Sequence, residues 1–151
     1  MSIAQVGVAE GRIEGDEHVL PIRVYYEDTD AAGIVYHANY LRFAERARTE
    51  MLRAVGIAQS TLAREGGVAF AVRDCQIDYR APARLDDLLE VRSRLVEQRG
   101  ATLRAEQRIR RDGEELVRLA VRVACVGRDG RPVRLPAGLR GSLERFFWKG
   151  E

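Results

Sequence analysis

The sequence predicts an α+β fold: an antiparallel five-stranded sheet wrapped around one long central helix. Three observations carry that expectation. Residues 40–55 repeat apolar side chains at three-and-four spacing, four later runs have the length and alternation of strands, and short turn signals join those four runs. Strands joined by tight turns pair antiparallel, and their shared apolar face then needs a helix laid over it.

Taken in order, residues 1–17 mix glycine, small and acidic residues without a period, which reads as a flexible lead-in to a single domain over 18–151. A first strand follows over 19–26. In the helical run, Leu41, Ala44, Ala47, Met51, Leu52 and Val55 form the apolar stripe, Arg42, Glu45, Arg46, Arg48, Glu50 and Arg53 fill much of the rest, and Gly56 supplies the stop. Residues 60–67 are irregular. The second strand, 68–79, closes at Ala81-Pro82-Ala83; the third, 88–97, breaks at Arg99-Gly100; the fourth, 101–111, meets the hairpin signal Asp112-Gly113. In the fifth, Val117, Leu119, Val121, Val123 and Cys125 point one way and Arg118, Ala120, Arg122 and Ala124 the other. A short helix over 137–147 ends the chain. One helix cannot cover five strands, so exposed apolar sheet and free edges predict a homodimer or homotetramer.

Composition excludes several classes. Apolar residues make up 46% and charged residues 32%, the balance of a globular protein and not of a disordered chain. The net charge of +2 gives no support for nucleic-acid binding. No run approaches the roughly 20 apolar residues of a spanning helix, so the chain is not expected to span a membrane. The first 20 residues lack a basic start and an apolar stretch, and Cys75 and Cys125 lie in strand-like runs where buried reduced thiols are expected. The expected location is the cytoplasm.

Chemistry concentrates between the first strand and the long helix. Residues 25–40 set Asp28 and Asp30, the turn-former Gly33 and then His37 just before the helix starts. The first N–H groups of a helix lack internal partners and its dipole is positive there, so negative charge developing on a carbonyl is favoured. No Cys/His set at zinc spacing, no glycine-rich phosphate loop and no serine nucleophile elbow is present. No metal and no cofactor are expected. Of the two histidines, His18 and His37, neither has an obvious serine partner.

The segment Tyr26-Glu27-Asp28-Thr29-Asp30, with Gly33, Val35-Tyr36-His37, Asn39-Tyr40 and Glu45, resembles the signature of the hotdog-fold acyl-CoA thioesterases, the 4-hydroxybenzoyl-CoA thioesterase family. Tyr-His before Ala-Asn-Tyr points to its YbgC-type branch. The resemblance is close over 24–53, and the strand order fits nearly the whole chain. It implies hydrolysis of acyl-CoA to a carboxylic acid and free coenzyme A. Asp30 is then the catalytic carboxylate, as nucleophile through a mixed anhydride or as general base on water, both of which need its ionised form. The backbone N–H of His37 is then the oxyanion donor, its side chain orienting substrate or water. Tyr26 would line the site and fix the aspartate or the acyl group. Gly33, Val35, Tyr36, Asn39 and Arg99 are the expected substrate-binding residues, with Asn39 also able to cap the helix. Arg99 matches a position near the nucleotide end of coenzyme A, although Gly100 and Ala101 depart from the cationic run of the 4-hydroxybenzoyl branch. Arg104, Arg108 and Arg110 share one strand face and read as a solvated surface. An acyl-carrier protein as the carrier, or a Tol-Pal-associated interaction role with little catalysis, are the alternatives that the resemblance leaves.

Overall fold

Asn39–Arg53 forms α1, a 15-residue helix whose buried side is Tyr40, Phe43, Ala44, Ala47, Met51 and Leu52. These positions recur at helical spacing, so one stripe meets the sheet and the arginines and glutamates stay outside. Leu41, expected in that stripe, lies on the flank at 43% exposure, and Tyr40 and Phe43 take the buried places. Gly56, at φ +85°, ends the helical segment in a conformation that favours glycine. The computed structural model describes residues 10–150.

The sheet has six antiparallel strands, one more than expected. They are β1 (Arg12–Glu14), β2 (Glu17–Arg23), β3 (Ala69–Tyr79), β4 (Leu88–Arg99), β5 (Thr102–Arg111) and β6 (Glu114–Val126), in the spatial order β1-β2-β4-β5-β6-β3. The additional strand falls inside the lead-in expected over 1–17, where Arg12 pairs with Val19 and Glu14 with Glu17. The part of that lead-in before residue 10 lies outside the described residues. β2 also stops earlier than the expected 26, and Tyr26–Asp28 is a 3-10 turn. The segment expected to be irregular contains a short helical turn, α2 (Gln59–Thr61), continuing through Leu62–Gly66.

The alternation of the central strands builds the core. Leu20 and Ile22 of β2, Leu89 and Val91 of β4, Ile109 of β5 and Leu119 of β6 pack under the first half of α1. The helix's second half, with Met51 and Leu52, packs with Leu95, Leu103 and Cys125. That end of the core is closed by α3 (Ala137–Leu143) and the turn Glu144–Phe146, which bury Leu139, Leu143 and Phe146. Burying Phe43 and Phe146 contributes roughly 1.5–3 kcal/mol each. The opposite sheet face carries the arginines in ion pairs such as Arg94 with Glu106 and Arg108 with Glu17, both at 2.8 Å. β3 is an edge strand with only half-buried or exposed residues, and its outer side pairs with no strand among the described residues. Both cysteines are free. Among the described residues no helix is long and apolar enough to cross a membrane.

Candidate active site

The connection from β2 to α1 folds as a small hairpin of its own. Thr29 pairs with Val35, the Asp30 N–H donates to the Ile34 carbonyl at 2.9 Å, and the Gly33 N–H donates to the Asp30 carbonyl at 3.0 Å. Gly33 has φ +80°, the left-handed region that closing this turn requires. Asp30 sits exposed at the tip. Its Oδ1 accepts the Ala32 N–H at 2.8 Å, and Oδ2 has no partner among the described residues.

The base of the loop is held from three sides. Asp28 accepts the Tyr25 N–H on its carboxylate at 2.8 Å, while its carbonyl accepts both the Tyr36 N–H and the Asn39 side-chain amide at 2.9 Å. Asn39 was expected to cap the helix through its oxygen; instead it is the first helical residue, and its amide nitrogen ties the helix start to the loop. Val35 is buried in the core and donates its N–H to the Ala83 carbonyl at 2.9 Å, so it anchors the loop from beneath. The Ala83 N–H in turn donates to the buried Tyr40 hydroxyl at 3.0 Å.

His37 opens the helical turn. The Asn39 N–H bonds back to the Tyr36 carbonyl at 2.8 Å, and among the described residues the N–H groups of His37 and Ala38 have no acceptor. They are the orphan donors of a helix start. The exposed His37 ring lies 4.5 Å from the Tyr36 ring, centroid to centroid, and edge-on to Tyr79 at 6.3 Å. Tyr79, on β3, donates its hydroxyl to the His37 carbonyl at 2.9 Å. Burial pushes the Tyr40 and Tyr79 phenols up from their ordinary values, which keeps both in the neutral hydroxyl form.

The other expected site residues are placed less closely. Tyr26 is 82% exposed, and its hydroxyl bonds to no described residue, Asp30 included. Arg99 ends β4, whose first residue Leu88 pairs with Arg23 beside the loop. Eleven strand steps separate the two ends, about 36 Å at 3.3 Å per residue, so this chain does not bring its own Arg99 to Asp30. Tyr79 was missed from the sequence because it lies 42 positions after His37, within an ordinary strand pattern. Among the described residues no group of three or more His, Cys, Asp or Glu gathers as metal ligands would.

An antiparallel sheet curled around one long helix, with an acidic hairpin feeding the helix start, is the architecture of the hotdog thioester hydrolases. The Thioesterase-like superfamily model matches residues 24–143, and the chain belongs to that superfamily. It is 49% identical over 127 residues to the acyl-CoA thioesterase YbgC of Haemophilus influenzae, covering 83% of this chain and 93% of that protein. To the acyl-CoA thioester hydrolase YbgC of Escherichia coli it is 52% identical over 107 residues, 70% of this chain and 79% of that one. Among solved structures, a probable thioesterase from Bartonella henselae superposes with TM-score 0.77 at 41% identity, over 80% of this chain and 99% of that one. A 4-hydroxybenzoyl-CoA thioesterase bound to 4-hydroxybenzoyl-CoA superposes with TM-score 0.81 over 85% of this chain and 99% of that one. At 20% identity, that match bears on fold alone. The chain is therefore a YbgC-type thioester hydrolase.

Proposed function

We propose that this hydrolase cleaves acyl-CoA, R–CO–S–CoA plus water giving a carboxylic acid and free coenzyme A, with Asp30 and the start of α1 as its machinery. The observation that carries the reading is the pairing of chemistry in one connection: an exposed carboxylate with one free oxygen, and two unpartnered N–H groups at the start of a 15-residue helix. The thioester oxygen accepts the His37 N–H as it gains charge in the tetrahedral intermediate. One such donor contributes about 2.7–4 kcal/mol in comparable sites. Asp30 either takes a proton from the attacking water or attacks the carbonyl itself, the anhydride then being opened by water; in both routes the thiolate leaves and is protonated.

The neighbours have supporting roles. Gly33 shapes the turn that presents Asp30, Val35 and Asn39 hold the loop to the core, and Tyr36 flanks the imidazole of His37. Tyr26 faces outward and would line the site only when a second copy closes over it. Leu41 on the flank of α1, with Val72 and Tyr79 on the open edge strand, leaves apolar surface uncovered. An isologous dimer joined along β3 would cover it, and antiparallel pairing would bring the partner's far strand ends, with their Arg99, towards this chain's loop. The free thiols agree with a cytoplasmic location.

The test is thiol release from a series of acyl-CoA esters, run beside sedimentation over the same dilution series. The account expects turnover that disappears together with the dimer. A fully active monomer would remove the shared site. Hydrolysis of acyl-carrier-protein esters with none of acyl-CoA would change the carrier, and a folded dimer inert on both would favour an interaction role.

A further inference from the structure

Along the second half of α1 an apolar pocket opens between the helix and the sheet. Met51, Leu52, Phe70, Leu103 and Val123 line it, and Arg48 is the only charged side chain among its described lining residues. Arg48 is held there by design of the core. The fully buried Gln107 accepts its Nη1–H at 3.0 Å, and the Gln107 amide donates to the Ala44 carbonyl and to Ser93 Oγ, both at 2.9 Å. A guanidinium has five N–H donors, and among the described residues this is the one hydrogen bond the Arg48 side chain makes. Glu45, one turn earlier and exposed, attracts the charge but forms no ion pair with it. Burial pulls the Arg48 guanidinium below its ordinary value, as expected for a cation without a paired anion.

The side of β3 that faces α1 runs from the helix start to the pocket. The irregularity between Val72 and Asp74 resets the register, so that Phe70, Cys75, Ile77 and Tyr79 share the side of β3 towards α1. Tyr79 touches His37 at one end, Cys75 lies near enough to Arg48 to feel its charge, and Phe70 reaches the pocket. Through Gln107 the guanidinium is tied to the level of Ala44. From His37 to Ala44 is about 10 Å at 1.5 Å per residue, the reach of a medium-length acyl chain.

We propose that Arg48 determines specificity by reading the distal end of the acyl group, which makes the site selective for medium-length acyl thioesters ending in an ionised carboxylate. The inference rests on the proposed hydrolysis of acyl-CoA. A carboxylate entering an apolar pocket is rejected unless a charged donor meets it, and a planar guanidinium meets it with two parallel N–H groups. A methyl terminus makes no use of those donors and leaves them without water.

The test compares kcat/KM for matched pairs: hexanoyl- with adipoyl-CoA, octanoyl- with suberoyl-CoA, and decanoyl- with sebacoyl-CoA. Wild type, Arg48→Met and Arg48→Lys are assayed together. At one length the carboxyl-ended ester is expected to exceed its plain partner about tenfold, the ratio to fall about tenfold in Arg48→Met, and Arg48→Lys to recover part of it. A wild-type ratio at or below one at every length overturns the inference, as does the same ratio in wild type and Arg48→Met. Should Arg48→Met fail to fold, the wild-type ratios decide. Turnover of the plain esters alone removes the inference and leaves the proposed function standing; turnover of neither series removes both.

Discussion

Replacing Gln107 by leucine keeps the volume of a buried side chain and removes every hydrogen bond it makes. Gln107 sits on β5 under α1 and ties that strand to two other elements, through the Ala44 carbonyl and the Arg48 guanidinium of the helix and through Ser93 of β4. The bond to Arg48 is charge-assisted and contributes about 1.5–3 kcal/mol, and the two neutral bonds about 0.5–1.5 kcal/mol each. Part of that is recovered, because Arg48 is only partly buried, Ala44 keeps its partner within the helix, and leucine adds apolar burial. The net loss expected for Gln107→Leu is about 2–4 kcal/mol. Equilibrium urea unfolding at one fixed protein concentration measures it, with the slope unchanged and the midpoint lowered. Adding Ser93→Ala should cost less than the sum of the two single changes by about 0.5–3 kcal/mol, since both belong to one network. A Gln107→Leu protein within about 0.5 kcal/mol of wild type would refute the view that this network anchors the helix.

Other outcomes follow from the same geometry. Burial holds the fully buried His18 imidazole below its usual value of 6.5, with the carbonyl of Glu10 and the charge of Glu50 opposing in part. The folded state thus prefers neutral His18, and its stabilising effect, complete above the unfolded value, is lost as pH falls below it. Urea midpoints measured downward from pH 6.5 should therefore drop more steeply in wild type than in His18→Gln; parallel curves would contradict this. His37→Ala keeps its backbone N–H, so kcat should fall by less than it does for Asp30→Asn; an equal loss would make the imidazole itself essential. Single turnover in oxygen-labelled water tests the covalent route, because label retained in Asp30 requires an anhydride opened by water at the aspartyl carbon.

Much of the fold was legible because two periods alternate along the chain. Residues 117–122 alternate between buried and less buried positions in the middle of β6, and the helical stripe ends at Gly56 as its spacing implies. β1 was hidden because Arg12–Glu14 is too short and too polar to show an alternation. Leu41 was misplaced because a period gives the width of an apolar stripe but leaves its rotation over a sheet open by one residue. The loop of Asp30 was readable through its resemblance to a family signature, since a glycine and two aspartates before a helix by themselves also suit an ordinary turn or cap. Tyr79 and Arg48 were not, because what each lies beside depends on strand pairing across distant positions. Gln107 had left a trace, a polar residue in register with the inward Leu103, Ala105 and Ile109, which a strict alternation argument would have flagged as a buried hydrogen-bonding group.

The central claim is that hydrolysis depends on the carboxylate of Asp30. Its most direct test is the rate of thiol release from acyl-CoA by Asp30→Asn, with circular dichroism and sedimentation confirming the same fold and assembly as wild type. The amide keeps the shape and the bond to Ala32 but can neither attack nor accept a proton from water, so kcat should fall by about 10²–10⁴. Turnover at the wild-type rate in a folded Asp30→Asn protein would contradict the account and move the chemistry to another group.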